Sequence, residues 1–336
     1  MSPMRKRTRY SLLLMLALMA ALVVALVLRR GAPPEAARLL PESDAIVYAN
    51  LKPLRAATHF DRSPVTRSPD YQHFIDATGI VPERDLDSAA FALHRMDDPN
   101  GPNGPVGYSE VFEGRFDGER LARYLATIAT AKETYAGHDI FTVPVGDGKV
   151  LRPLRIAQLG YDTIAASNMP TPEQIHSILD RHRAAASPFS GSSLLSERYR
   201  DVPAFSSAWA IGHIGLPFSD RGYISIFGLQ LPLPEDTTFV ASLRYLGTLH
   251  LRIEQIAPTE ADAAHASGTL TTLLALVKSV EQTQARMQPH PVSDEAFHEL
   301  TDSAKIEQHK DRAVLTANIP LELVKQLTSS TGVAQP

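Results

Sequence analysis

The chain contains 336 residues, of which 44% are hydrophobic and 21% charged, and its 33 lysines and arginines against 37 aspartates and glutamates give a net charge of −4. This length is enough for one large or two ordinary domains with a packed core, and the composition is that of a globular protein rather than a disordered one. The chain has no cysteine, which excludes a disulfide scaffold, a thiolate metal site, a cysteine nucleophile and a lipid-modified cysteine anchor.

The charge is distributed unevenly along the chain. Residues 1–30 contain six basic side chains and no acidic ones, so the remainder carries 27 basic and 37 acidic side chains. A body with this acidic excess repels phosphate backbones, and it has no basic stripe interleaved with aromatic residues. We therefore expect no nucleic-acid partner.

A hydrophobic run, YSLLLMLALMAALVVALVL at residues 10–28, is the strongest signal in the sequence. As a helix it would be about 28 Å long, close to the hydrocarbon thickness of a bilayer, about 30 Å. The run is longer than the hydrophobic segment of a cleaved signal peptide, and it ends at Arg29 and Arg30 rather than at a small-residue cleavage site. We expect an uncleaved signal anchor. The alternative is cleavage at a small residue inside the run.

Basic residues flank this run unevenly. Four of them lie within residues 5–9, whereas two follow the run directly. The positive-inside tendency therefore predicts a cytoplasmic tail at 1–9, a single transmembrane helix at 10–28 and a body outside the cytoplasm. The membrane is thus an expected partner, contacted through residues 10–28.

The body begins with residues 29–42, which are rich in alanine and proline and are expected to form a linker. A first α+β unit is expected at 43–190, where β-branched and aromatic runs predict several strands. These strands are expected at 44–51, 89–94, 108–116, 140–145 and 154–167.

Three helices of the first unit are marked by their terminal residues. Pro69 favours the first turn of one helix, and Gly79 ends it. Asp117 is a suitable cap for the second helix, whose apolar residues recur at i, i+3, i+4 and i+7. Thr171 is expected to cap the third helix, with a proline at its first position.

A second α+β unit is expected at 191–330. Its predicted elements are strands at 205–214 and 313–319, two strands within 238–256, a long helix from Thr259 toward Gln284 and a closing helix at 320–327. The order of strand, capped helix and strand at 108–145 recurs at 248–319, which suggests that the two units are related. Alternating polar and apolar residues favour antiparallel sheets. The expected fold class is therefore α+β.

Four stretches of the body resemble an uncharacterised family of bacterial membrane-anchored proteins. They are LLPESDAIVYANLKPLR (39–55), DYQHFIDATGIVPERDLDSAAFALH (70–94), EGRFDGERLARYL (113–125) and IAASNMP (164–170). The resemblance extends over most of residues 39–327 and implies an extracytoplasmic α+β domain behind one N-terminal span. The expected location is therefore the cytoplasmic membrane, with a periplasmic body. The resemblance implies no catalytic residue and no ligand.

Histidine and carboxylate groups give weak signals for metal chemistry. His176 and His182 lie about 120° apart around a helix and cannot readily share a metal ion, while His176 and Asp180 face the same side but are only two ligands. The acidic cluster at 83–87, VPERDLD, lacks the glycine and the terminal glutamate of a calcium-binding loop. We interpret these groups as a solvated helix face and a turn.

Nucleophile and phosphate-binding motifs are also missing from the sequence. There is no G-x-S-x-G motif, the Ser190–Ser193 stretch reads as a flexible joint, and the glycines of the 97–107 loop precede no Lys-Ser/Thr pair. Trp209 is expected in the core rather than on a sugar-binding surface. We therefore assign no catalytic, cofactor-binding or metal-ligating residue and expect no cofactor.

Two classes of function remain. The favoured one is a non-catalytic module that binds a protein or envelope component or supports an envelope assembly. Its docking surface would include the apolar stretch 216–233, provided that Phe227 and its neighbours are exposed. The alternative is a membrane-tethered hydrolase whose catalytic residues, such as His138 or His213 beside carboxylates, converge only in the fold.

Overall fold

The computed structural model describes residues 32–62, 67–99, 101, 104–146, 151–184, 190–214, 223–226, 229–232, 237–245, 247–285 and 292–323. Within these ranges, no helix combines the length and the apolar sequence that crossing a bilayer requires. The predicted span at 10–28 lies outside the described residues.

A twelve-stranded antiparallel sheet forms the centre of the described chain. Its strands are β1 (Ala45–Asn50), β2 (Leu86–Arg95), β3 (Val106–Gly114), β4 (Ala131–Tyr135), β5 (His138–Val145), β6 (Arg152–Gln158), β7 (Thr163–Ser167), β8 (Ala208–Ile214), β11 (Thr237–Tyr245), β12 (Leu249–Ile256), β13 (Lys305–His309) and β14 (Arg312–Ile319). A separate hairpin pairs β9 (Tyr223–Ile226) with β10 (Leu229–Pro232). The large sheet has the order β13-β14-β12-β11-β8-β1-β2-β3-β7-β6-β5-β4, so β4 and β13 are its edges.

Helices connect the strands and confirm the expected α+β class. In chain order they are α1 (Glu35–Leu39), α2 (Leu51–Thr58), α3 (Pro69–Thr78), α4 (Pro82–Asp85), α5 (Gly118–Ile128), α6 (Glu173–Arg183), α7 (Ser193–Arg198), α8 (Glu260–Ala285) and α9 (Val292–Ser303). Ser68 caps α3 and Asp117 caps α5, each accepting a backbone N–H from three residues ahead. Gly79, in the left-handed region with φ 74°, ends α3 as predicted.

The main hydrophobic core lies on one face of the sheet. Ile46 and Tyr48 of β1 point to this face together with small residues of the neighbouring strands, and α1, α6 and α7 cover it. The helices contribute Ala36, Ala37, Leu39, Leu40, Ile175, Ile178, Leu179, Leu194 and Leu195. Alanines at Ala90, Ala92 and Ala165 are fully buried, so the helices can approach the strands closely.

A second core lies at Phe141 and Val143 of β5, where α3 and α5 pack against each other. Leu121 and Leu125 of α5 are buried against these residues, as the i, i+4 spacing of the predicted amphipathic helix requires. The sheet is therefore covered in two places, by α1, α6 and α7 at the main core and by α3 and α5 at the second core.

The sheet continues through both predicted units. Strand β1 pairs with β8, and Tyr48 lies opposite Trp209, so the two halves of the chain contribute adjacent central strands. The hairpins β4–β5 and β13–β14 each turn through two residues, with Ala136 and Lys310 both at positive φ. These hairpins contain the two similar stretches on which the suggested duplication rests. The division at residue 190 stays a prediction.

Residues 35–40 differ from the predicted linker at 29–42. Helix α1 is short, but Ala36, Ala37 and Leu40 are completely buried in the main core. The Ala36 N–H also donates to Glu113 Oε1 at 3.0 Å, which fixes the start of α1 against the end of β3. The composition of the segment concealed this role, because alanine and leucine suit a linker and a buried helix equally.

Other differences concern element boundaries. Helix α6 begins at Glu173 with Pro172 in the cap position and no side-chain cap bond, so Thr171 lies one residue too early to act as predicted. The single strand expected at 154–167 is two strands, β6 and β7, with a turn between them. The edge strands β4 and β13, together with helices α2 and α9, were not predicted. Of the closing helix at 320–327, only residues up to 323 are described.

Candidate functional site

One end of the large sheet gathers charged side chains from several elements. Strand β1 ends at Asn50, β2 begins at Leu86 and β3 ends at Gly114, and their antiparallel pairing brings these three points together. Asn50 accepts the Lys52 N–H through its side chain and so caps α2, which begins at this end of the sheet. We call this region the α2 end of the sheet.

An open pocket of about 510 Å³ lies at the α2 end. Its charged lining residues are Lys52, Arg55, Asp61, Asp87 and Arg115, with His59 beside them. Lys52, Arg55 and His59 face the pocket together because they are three, four or seven residues apart in and directly after α2. The pocket therefore presents several cations and two carboxylates on one surface.

Arg55 links α2 to the chain around the start of β2. Its Nε donates to the Glu83 carbonyl oxygen at 3.0 Å, Nη2 donates to the Leu86 carbonyl oxygen, and Nη1 lies 3.3 Å from Asp87 Oδ1. These contacts hold α2 against the start of β2. The Arg55 side chain is mostly buried, so its role is to position the surrounding groups.

Three cations at the α2 end are more exposed than the carboxylates with which they pair. The side chains of Lys52 and Arg115 are 64% and 71% exposed, and Arg84 is more than half exposed. Their acidic partners lie deeper, since Asp85 is nearly buried and Asp87 is mostly buried. Solvent therefore meets ammonium and guanidinium groups first, with the carboxylates beneath them.

Asp85 remains ionised in this arrangement. Burial by itself would raise the pKa of its carboxyl group, but hydrogen bonds from Arg84 and the Val81 N–H, together with the charges of Arg84 and Arg115, lower the pKa below its ordinary value. The aspartate thus fixes the loop between α3 and β2 and stays negative at neutral pH.

Two aromatic side chains project from the same end of the sheet. Tyr161 lies in the turn between β6 and β7 and is 82% exposed, and Phe205 lies before β8 and is 83% exposed. Phe205 also has φ 63°, a left-handed conformation that bulky residues rarely adopt. The Ser207 N–H, which donates to the Leu243 carbonyl oxygen at 2.8 Å, fixes the chain just after this strained residue.

A second open pocket, of about 630 Å³, lies between β4 and α6. The rings of Tyr135 and His176 stack there with centroids 3.9 Å apart. The Tyr135 hydroxyl donates to Asp180 Oδ2 at 2.9 Å, and His176 Nε2 lies 3.1 Å from Glu133 Oε1. His176 and Asp180 face the same side as predicted, and their contacts hold β4 against α6.

A chain of buried polar side chains occurs at positions that no sequence motif indicated. His94 Nε2 lies 2.9 Å from Ser109 Oγ, which lies 3.2 Å from Ser167 Oγ. All three side chains are buried, and burial lowers the pKa of His94, an effect that the Asp44 carboxylate partly offsets. The three residues are far apart in sequence, and each occupies a core-facing position of an alternating strand.

The histidines considered for a hydrolase lie in separate places. His138 Nδ1 is 2.9 Å from the Gln158 carbonyl oxygen, and its ring meets His182 edge to face at 5.7 Å. His213 is exposed and lies 3.2 Å from Thr238 Oγ1. In the part of the chain that the structure describes, neither His138 nor His213 has an ion pair with a carboxylate.

The remaining sequence candidates take structural positions. The acidic cluster at 83–87 forms α4 and the start of β2, with its carboxylates facing arginine and lysine. Ser192 caps α7. Trp209 is buried and stacks on Tyr48 with centroids 5.5 Å apart, which confirms its place in the core. Within the described ranges, no three His, Asp or Glu side chains are grouped to hold a metal ion.

The stretch 216–233 is described in part. It contains the β9–β10 hairpin, in which Ile226 pairs with Leu229. Phe218 and Phe227 lie outside the described residues, so the proposed docking surface at this stretch stays a prediction.

Comparisons with known proteins give distant structural similarity. Crystal form III of TP0453 is 12% identical with a TM-score of 0.49, over 89% of this chain and 99% of that one. Crystal form I of TP0453 is 10% identical with a TM-score of 0.44, over 89% of this chain and 98% of that one. No family model and no curated protein matches the chain. Similarity at this level carries no argument about family or function.

Proposed function

We propose that this chain is a single-pass membrane protein whose periplasmic body is a non-catalytic binding or envelope-assembly module. Residues 10–28 form the anchor in the cytoplasmic membrane, residues 1–9 stay in the cytoplasm, and the body follows outside. The resemblance to membrane-anchored bacterial proteins and the basic residues before the hydrophobic run support this orientation.

The position of α1 is the observation that carries the proposal. Ala36 and Ala37 are completely buried, and the Ala36 N–H is bonded to Glu113, so the folded body begins within a few residues of the predicted anchor. A body joined in this way stays close to the membrane surface. Such an arrangement suits a protein that presents a binding surface at the membrane.

The contacts of the polar clusters favour binding over hydrolysis. His94 and Ser109 are within hydrogen-bond distance, as a base and a nucleophile would be, but both are buried beneath the sheet and α-helical layer. The exposed charges of the α2 end and of the β4–α6 pocket instead form open surfaces. Surfaces of this kind fit a ligand or partner that is bound rather than converted.

Membrane fractionation combined with protease accessibility tests the proposal. The full chain is expected in the membrane fraction, and protease added to spheroplasts is expected to digest the body. A matched variant lacking residues 10–28 should leave the membrane fraction. Recovery of the full chain as a soluble cytosolic protein, or a body protected from external protease, would refute the proposed location.

Purification from membranes with and without crosslinking tests the binding role. A partner or envelope component is expected to co-purify with the full chain and to be lost when the exposed Glu173 of the β4–α6 pocket is changed by Glu173→Lys. Hydrolysis of ester, amide or glycosidic substrates by the purified chain, abolished by His138→Gln, His213→Gln or His94→Gln, would instead establish the hydrolase alternative.

A further inference from the structure

Three independent features coincide at the α2 end of the sheet. The body begins there, because Ala36 is bonded to Glu113 at the end of β3. Exposed cations of Lys52, Arg84 and Arg115 lie there above deeper carboxylates. The highly exposed rings of Tyr161 and Phe205 project from the same end.

The sheet order places these features along one line. Phe205 precedes β8, Tyr161 joins β6 to β7, and β1, β2 and β3 lie between them with the basic pocket. Neighbouring strands are about 4.8 Å apart, so the two aromatic tips are separated by about 20–24 Å along the sheet. The basic pocket therefore lies between two aromatic tips at one end of the body.

The chain between the predicted anchor and Ala36, called the tether here, is short enough to keep this end of the body near the bilayer. Seven residues separate the end of the predicted span at Leu28 from Ala36, and the eight steps from Leu28 to Ala36 cover at most roughly 29 Å when the chain is fully extended. The α2 end is the part of the body to which this tether is joined. This step rests on the membrane anchor of the proposed function.

The distribution of charge over the body favours an orientation in which the α2 end faces the membrane. The chain beyond residue 30 has 27 basic and 37 acidic side chains, so most of the body is repelled by an anionic lipid surface. At the α2 end, Asp85 and Asp87 are instead paired with Lys52, Arg84 and Arg115, and the side chains of these three cations are the more exposed members of the pairs. Anionic headgroups attract clustered basic residues, and aromatic side chains favour the bilayer interface.

We propose that the α2 end of the sheet docks on the anionic phospholipid surface of the membrane that holds the anchor. Phe205 and Tyr161 enter the headgroup region at two points, and Lys52, Arg84 and Arg115 contact lipid phosphates between them. The body then has one fixed face toward the membrane and presents the opposite end of the sheet to the periplasm.

Site-directed spin labelling of the full chain tests this orientation. The chain has no cysteine, so Phe205→Cys, Tyr161→Cys and Leu151→Cys each give a single labelling site. Leu151 is the matched control, because it is an apolar residue that is 61% exposed and lies just before β6, at the opposite end of the sheet. The labelled proteins are reconstituted in vesicles of phosphatidylcholine with phosphatidylglycerol and in vesicles of phosphatidylcholine alone.

Docking predicts a several-fold higher ratio of oxygen to aqueous nickel-chelate accessibility at positions 161 and 205 than at 151. This difference should shrink without phosphatidylglycerol, in high salt and with Lys52→Glu plus Arg115→Glu. Circular dichroism shows whether the charge variants fold. If they do not, the measurements in high salt and in vesicles without phosphatidylglycerol still test whether docking depends on charge. Equal aqueous accessibility at all three positions in anionic vesicles would overturn the proposal.

Flotation separates this result from failure of the anchor. If the full chain does not float with vesicles after reconstitution, the proposed anchor is wrong. If it floats and all three labels are equally accessible to the aqueous reagent, the anchor stands and the docking is wrong. Protection of positions 161 and 205 that appears only when a protein partner is added would assign the surface to that partner and refute lipid docking.

Discussion

His94 is a buried side chain whose protonation is disfavoured in the folded structure. Burial lowers its pKa below the ordinary value of 6.5, and Asp44 offsets this only in part. Above that pH the ring is neutral in the folded and unfolded chain alike. As the pH falls below 6.5, the unfolded chain binds a proton that the folded chain resists, so the free energy of unfolding decreases.

We therefore expect His94→Gln to flatten the loss of stability between about pH 7.5 and 5.5, because glutamine can keep a hydrogen bond to Ser109 without titrating in this range. Urea unfolding of both proteins across this range measures the effect. His182 contributes a residual slope, since burial and His138 also lower its pKa, and His94→Gln with His182→Gln should remove both contributions. An unchanged slope in His94→Gln would contradict this explanation.

Arg312 connects two buried or nearly buried carboxylates. Its Nη1 donates to Glu254 Oε2 at 2.8 Å and its Nη2 donates to Asp201 Oδ1 at 2.9 Å. Arg312→Met leaves Asp201 without this partner and Glu254 with Arg252, so we expect a loss of about 3 kcal/mol in the free energy of unfolding.

Chemical denaturation measures the cost of Arg312→Met against a matched control. Lys132→Met removes a pair with Asp139 in which both side chains are about half exposed, so solvent screening makes the expected change much smaller than for Arg312→Met. Similar losses in the free energy of unfolding for the two variants would contradict the view that burial strengthens the ion pairs of Arg312.

At the scale of elements, α1 is short but contributes strongly to the core. We expect Leu40→Ala, directly after this helix, to cost about 2–5 kcal/mol because a fully buried side chain leaves a cavity. Leu276→Ala makes the same chemical change on α8, where Leu276 is about half exposed. The control should remain within about 0.5 kcal/mol of the wild type in thermal or urea unfolding. Equal effects would mean that α1 is a dispensable linker after all.

The sequence predicts elements well where end signals and periodicity agree. Asp117 and the repeated leucines of α5 define both its start and its buried face, and Ser68, Pro69 and Gly79 define α3. Strand β4, AKETY, is missed because an edge strand with mostly exposed residues has no apolar alternation. Alanine-rich α1 is missed because its burial depends on partners distant in sequence.

The candidate surface is less predictable because its members are dispersed. Arg55 and Asp87 are 32 residues apart, and the tips at Tyr161 and Phe205 are single residues in loops. Their proximity follows from strand order, which contains long-range pairs such as β1 with β8 that local patterns do not encode. The sequence can therefore predict an attachment point for the body but not which end of the body faces it.

At the scale of the whole molecule, Trp209 lies where the two halves of the sheet join. It stacks on Tyr48 from the first half and meets Tyr199 edge to face. We therefore expect the body to unfold in one cooperative transition, in which Trp209 fluorescence and far-ultraviolet circular dichroism change together.

Calorimetry of the full chain in detergent checks this expectation. The calorimetric and van't Hoff enthalpies should agree for a single transition. Two resolved transitions, with Trp209 fluorescence following only one of them, would instead establish two independently stable units that meet near residue 190.

If the body is tethered to a membrane as proposed, the charged edge strands are expected to limit contacts between neighbouring copies. Strand β4 carries Lys132 and Glu133, and β13 carries Lys305 and Glu307, on otherwise unpaired margins of a long sheet. Copies tethered to one membrane would hold their edge strands at the same distance from the bilayer. This arrangement would favour pairing between the edge strands of neighbouring copies, and so polymerisation. Charges on both margins disfavour that pairing, because joining two copies would desolvate them. Copies tethered as proposed are therefore expected to remain separate at high surface density.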